Sequence, residues 1–120
     1  MQVSAKLLST QLIKQVNQHL AVAISEIKNP HQAGQFLDGF LTQTERTVLS
    51  KRLTIGLLLH KKTPYEQIKK TLNVSSATIS GVAAMMKKPG FRLAIEKINE
   101  EEWADAQLNK LTSLFAKIKL

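Results

Sequence analysis

Seven basic side chains crowd one short stretch of this chain. Lys61, Lys62, Lys69, Lys70, Lys87, Lys88 and Arg92 lie between positions 61 and 92, opposed only by Glu66. That stretch carries +6 of the total charge of +8, so the other 88 residues together carry +2. Ammonium and guanidinium groups at this density attract a polyanion, because each phosphate they neutralise releases condensed counterions. Between the lysine pairs stands a run of small polar side chains, Ser75, Ser76, Ala77, Thr78 and Ser80. Such a surface lets a backbone approach a ligand closely, and its hydroxyls can donate or accept. The chemistry is that of binding rather than bond-making. There is no cysteine, which excludes thiolate metal sites, disulfides and a cysteine nucleophile. His19, His31 and His60 are scattered without metal-ligand spacing, and no phosphate-binding glycine loop or Ser-His-Asp arrangement stands out. Glu100, Glu101 and Glu102 read as a solvated face. Neither an enzyme nor a cofactor or metal is expected.

The elements that would position these groups are legible in the apolar spacing. A helix-turn-helix needs two short helices crossing steeply over a tight turn, with the second able to enter the major groove of duplex DNA. Ile68 and Leu72, four apart, supply the inward face of a first helix. Asn73 tolerates the left-handed conformation the turn requires, and Val74 is the small hydrophobe that plugs it. Ile79 and Val82, three apart, face a second helix inward, with Ser75 as its cap and an end near Lys88. The motif spans residues 64–88. Lys69 stands where many such motifs place a small residue against the second helix.

The rest of the chain is helical in pattern. Val3, Leu7, Leu8, Leu12, Val16, Leu20, Ala23, Ile24 and Ile27 form one stripe of a helix over 3–28. Asn29-Pro30 breaks it and starts a short helix through Phe36, Leu37, Phe40 and Leu41. Thr42 with Glu45 makes one capping box and Thr63 with Glu66 a second, with Pro64 in the first helical position. The helix between them is apolar on more than one side near 53–59, which predicts deep burial or an interface. Pro89-Gly90 precedes a last helix over 91–118. The chain reads as one all-α domain over 1–120. No apolar run approaches the ~18 residues of a membrane span, and the N-terminus has no signal-peptide pattern, so a cytoplasmic protein is expected.

Residues 41–98 also resemble the Trp repressor family. The resemblance rests on Leu-Thr-Gln-Thr-Glu-Arg at 41–46, Leu-Ser-Lys-Arg-Leu-Thr-Ile at 49–55, Gln-Ile-Lys-Lys-Thr-Leu at 67–72, and Ala-Thr-Ile-Ser at 77–80 followed by a lysine pair and a proline. It covers about half the chain, and the family accepts a lysine where Lys69 stands. It implies an intertwined all-helical homodimer of about six helices per chain, with the helix at 75–88 reading DNA. The family's archetype holds tryptophan as corepressor between two arginines. Arg52 matches one of them and marks a candidate effector pocket, whereas Gly81 stands at the other. A glycine cannot pair with a carboxylate or stack on an indole, and Val82 and Met85 also depart from the family's small residues. Tryptophan is therefore not expected to be the effector.

The reading is a homodimeric, sequence-specific transcriptional regulator, expected to be a repressor. Helices 3–28 and 91–118 would form the dimer surface, because a single module buries too little for tight specific binding. Gln67, Lys69, Lys70, Lys87 and Lys88 would hold phosphates, with Lys61 and Lys62 as further candidates. Ser75, Ser76, Ala77, Thr78 and Ser80 would meet the groove. None of the outward residues is Arg, Asn or Gln, so sequence preference would come from water-mediated contacts and DNA shape. Two alternatives stand beside it: a helical protein-interaction module with a degenerate helix-turn-helix, and a duplex binder without sequence preference.

Overall fold

The computed structural model describes residues 9–100 and 113–114. These residues form six helices and no strand. They group into two compact units that divide between Thr42 and Gln43.

The first unit holds α1 (Thr10–Ser25) and α2 (Pro30–Phe40). Ser9 caps α1 by accepting from the Leu12 N–H at 3.1 Å. The helix ends three residues before the predicted limit of 28, and positions 3–8 of the predicted helix lie outside the described residues. Asn29 caps α2 as expected, its Oδ1 accepting from the Gln32 N–H at 2.8 Å, while Gln32 Oε1 accepts from the Lys28 N–H at 2.6 Å. The first bond satisfies a backbone donor that the helix start leaves open, and the second ties down the N–H just before the cap. Phe36 and Phe40 stack at 5.0 Å along α2, the i,i+4 spacing at which helical side chains meet. No residue of α1 or α2 is buried. Leu12, Ile13, Val16, Val22 and Ile24 of α1 are all exposed, as is Phe40 of α2.

The second unit holds α3 (Gln43–His60), α4 (Tyr65–Leu72), α5 (Ser76–Met85) and α6 (Pro89–Glu100). Its core is Ile55, Leu57, Leu58, Ile68, Leu72, Ile79, Val82 and Ile95, with Leu53, Leu59, Val74, Met86, Phe91 and Ile98 packed around it. The all-round apolar stretch of α3 is buried from Thr54 to Leu58, as its composition predicts. Thr54 meets burial by donating its hydroxyl to the Ser50 carbonyl at 2.8 Å. Gly56 is the close-contact point. A Cβ there would lie 2.5 and 2.6 Å from the Phe91 ring, so the absent side chain lets α6 dock onto α3.

The exit of α3 differs from the sequence expectation. The Thr63 N–H bonds the Leu58 carbonyl at 3.0 Å and the Lys62 N–H bonds the Leu59 carbonyl at 2.9 Å. That pair of bonds is a Schellman closure, and it places Lys62 at the left-handed position with φ of 65°. Thr63 is thereby committed to ending α3 and does not cap α4. Pro64 takes the cap position with φ −61° and ψ 145°, and no side chain caps the helix. The predicted capping box at 63–66 is therefore replaced by a proline entry, whose carbonyl accepts from Gln67 and Ile68. Glu66, freed from that role, lies 3.6 Å from Lys69 Nζ. At the other end, α5 stops at Met85 rather than near Lys88, and Pro89 opens α6 in place of the predicted start at Phe91. Pro fits there because the first helical N–H has no partner within the helix. Of the predicted helix over 91–118, residues 101–112 and 115–120 lie outside the described residues, while Ser113 and Leu114 are helical.

Candidate nucleic-acid interface

The α4–turn–α5 segment is built from the residues whose spacing predicts it. Ile68, Leu72 and Ile79 have no exposed surface and Val82 retains 5%. Burying four such side chains contributes roughly 1.5–3 kcal/mol each, enough to set how two short helices cross. Asn73 ends α4 in the left-handed conformation, with φ 55° and ψ 53°. Val74 is half-buried against the core beside it. Ser75 then starts α5, its hydroxyl accepting from the Thr78 N–H at 3.1 Å and lying 3.0 Å from the Thr78 hydroxyl. The turn is thus closed by backbone conformation on one side and by a side-chain cap on the other.

With Ile79 and Val82 turned inward, the opposite side of α5 is left to solvent. Ser75, Ser76, Ala77, Thr78, Ser80, Gly81 and Ala84 are all exposed. This face is smooth and carries no long side chain. A Cβ added at Gly81 would meet nothing within 4 Å, so no packing inside the described chain requires a glycine there. The cations lie in the last turn of α4 and just past the end of α5. Lys70, Lys87 and Lys88 are exposed, as is Gln67 on the first turn of α4. Lys69 is half-buried, with 34% of its side chain exposed, and its ammonium faces Glu66 on the same helix. An ion pair this exposed is worth little and can be exchanged for a phosphate. Ile68, Leu72 and Ile79 stay fully buried with a lysine at position 69.

Arg52 does lie at a cavity. A groove of about 460 Å³ runs between α3 and α5. Arg52, Val48 and Ile55 line its α3 wall, and Thr78, Gly81, Val82 and Met85 its α5 wall. Both walls follow the i, i+4, i+7 repeat of one helix face. The structure therefore brings Arg52 and Gly81 to the same space. Lys51 also lines this groove and was not among the residues that sequence reasoning singled out. Its only signal was adjacency to Arg52. The groove walls carry one guanidinium and one ammonium from α3 and no charged side chain from α5.

Among the described residues no three His, Asp or Glu side chains gather to hold a metal ion. No described helix is long and apolar enough to cross a membrane. Compared with protein-family models, residues 14–99 match the family described as Trp repressor protein. No curated protein and no solved structure matches the chain.

Proposed function

The chain belongs to the Trp repressor family of helix-turn-helix DNA-binding regulators, and from that premise we propose that it is a sequence-specific transcriptional repressor. It binds duplex DNA as a homodimer, with residues 64–88 as the reader and acting in the cytoplasm. One observation carries this reading. The core of α4 and α5 is sealed by Ile68, Leu72, Ile79 and Val82, which turns the small polar face of α5 outward, with exposed lysines at the end of α4 and just past the end of α5. Gln67, Lys69, Lys70, Lys87 and Lys88 hold the phosphates and set register. Ser75 and Thr78 fix the start of the reading helix, Ser76 and Ser80 offer hydroxyls to base edges or bridging water, and Ala77 meets a thymine methyl. The exposed apolar residues of α1, Leu12, Ile13, Val16, Val22 and Ile24, support dimerisation, because that much apolar surface in water favours a partner. Arg52 and Lys51 suit an anionic effector in the α3–α5 groove. Tryptophan is not expected there, since Gly81 offers no second guanidinium.

The test is fluorescence anisotropy of labelled duplex DNA with purified protein over a salt series, using a random-sequence pool whose bound fraction is sequenced. The expected result is salt-sensitive binding and enrichment of a palindrome-like motif. Lys69→Glu with Lys70→Glu should weaken binding strongly and leave helicity and dimerisation intact. Salt-sensitive binding without enrichment would replace the repressor with an architectural duplex binder. Absence of binding at low salt would favour a protein-interaction module, the role that the Arg-free face of α5 suits.

A further inference from the structure

We propose that Lys62 is a phosphate anchor, held in a left-handed backbone at the entrance to the helix-turn-helix because its charge is needed there. The proposal rests on the DNA-binding reading above. Two described residues other than glycine have positive φ, Lys62 and Asn73. At Asn73 the residue type eases the conformation, because a short polar side chain bonds locally and tolerates it. Lysine has no such provision. Its Cβ carries the full steric penalty, and position 62 closes a Schellman motif, the place where glycine is the usual choice. The turn geometry thus selects against lysine, and lysine is present.

The penalty has no return inside the described chain. The Lys62 side chain is exposed and has no ion-pair partner among the described residues. Its position points to what it serves. The Schellman bonds from Lys62 and Thr63 tie residue 62 to the last turn of α3, and Pro64 follows at once as the entry to α4. The backbone there is consequently well determined, and an ammonium at 62 is held close to the start of the first helix of the motif. In helix-turn-helix complexes that helix crosses the phosphate backbone. Lys69 and Lys70 stand in its last turn. Lys62 adds a cation before its first turn, so that both ends of α4 carry positive charge toward one polyanion. Residues that break a local rule without internal compensation are expected at functional sites.

The proposal separates stability from binding in one residue, which makes it testable in the full-length protein. Lys62→Gly relieves the backbone and removes the charge, Lys62→Asn eases the backbone and removes the charge, and Lys62→Arg keeps both. Each is melted thermally and titrated with labelled duplex DNA from 50 to 200 mM salt. Lys62→Gly should melt higher than wild type and yet bind DNA more weakly. Its salt slope should fall by about 0.9 per chain, about 1.8 for the dimer, so the affinity lost between those salts shrinks ~12-fold. Lys62→Asn should show the same loss of slope, and Lys62→Arg should retain the wild-type slope. A Lys62→Gly protein that melts higher with an unchanged slope overturns the anchor and leaves the DNA reading intact. One that melts no higher overturns the strain argument. A wild type without salt-sensitive binding overturns the DNA reading, and the anchor with it.

Discussion

Gly56 and Gly81 both interrupt the interior of a helix, and the same substitution should act on them with opposite sign. Replacing glycine by alanine in a helix interior gains about 1 kcal/mol from backbone entropy. At Gly81 the added methyl meets nothing within 4 Å, so Gly81→Ala should realise that gain in full. At Gly56 the methyl would fall 2.5 Å from Phe91 Cε1 and 2.6 Å from Phe91 Cζ, with Ile95 Cδ1 at an ordinary 3.6 Å. The ring is half-buried and packed against the core, so it must turn or α6 must move outward. Overpacking of this kind costs typically 1–3 kcal/mol. Gly56→Ala should therefore be neutral to about 2 kcal/mol destabilising. The decisive comparison is the double-mutant cycle with Phe91→Ala. In that background the obstacle is gone, and Gly56→Ala should stabilise by about 1 kcal/mol, giving a coupling energy of ~1–3 kcal/mol. The assay is the urea midpoint of each variant at one fixed protein concentration, because assembly would make stability depend on concentration. Equal stabilisation by Gly56→Ala in the presence and absence of Phe91 would refute the contact as the reason for the glycine.

Three further outcomes are expected from the start of α5. Ser75→Ala removes the acceptor for the Thr78 N–H, and should lower stability by about 1 kcal/mol in a thermal or urea melt. Ser75→Asp should restore that stability, since aspartate also caps, and should weaken DNA binding by placing a carboxylate near phosphates; unchanged affinity would move the groove contact away from this end of the helix. Ala77→Asp should reduce DNA affinity at least ~10-fold in anisotropy with the circular dichroism spectrum unchanged, because residue 77 is exposed and only phosphate repulsion is added. Retained binding by Ala77→Asp would show that another surface reads the DNA.

Much of the second unit could be read from local chemistry. Ile68, Leu72, Ile79 and Val82 repeat at helical spacing and are buried, and Asn73 is one of few residues suited to φ > 0. Ser75 caps because serine before an apolar-periodic run has that use. What escaped depends on partners far along the chain or on a residue that does not advertise its conformation. Gly56 looks like a weak helix position until Phe91, 35 residues on, is placed over it. Lysine carries no signal for left-handed backbone, so nothing in the sequence marks the Schellman closure at Lys62, and Thr63-Pro64-Tyr65-Glu66 has the pattern of a capping box that the same closure pre-empts. The α3–α5 groove was half legible. Arg52 and Gly81 were set side by side by resemblance to a family, while Lys51, Val48 and Thr78 entered only when two helix faces met.

The blank outer face of α5 has a consequence for how this protein could change. Its inward residues, Ile79 and Val82, do the packing, and its outward ones, Ser76, Ala77, Ser80, Gly81 and Ala84, are exposed. Most substitutions at exposed positions away from special features shift stability by no more than about 0.5 kcal/mol. Arginine, asparagine or glutamine could therefore be written onto that face one position at a time, each adding up to ~1–3 kcal/mol of base discrimination without unsettling the scaffold. On the proposed reading such a regulator is evolvable: altered DNA preference would lie within single substitutions, and a laboratory library confined to those five positions would test it while holding the fold constant.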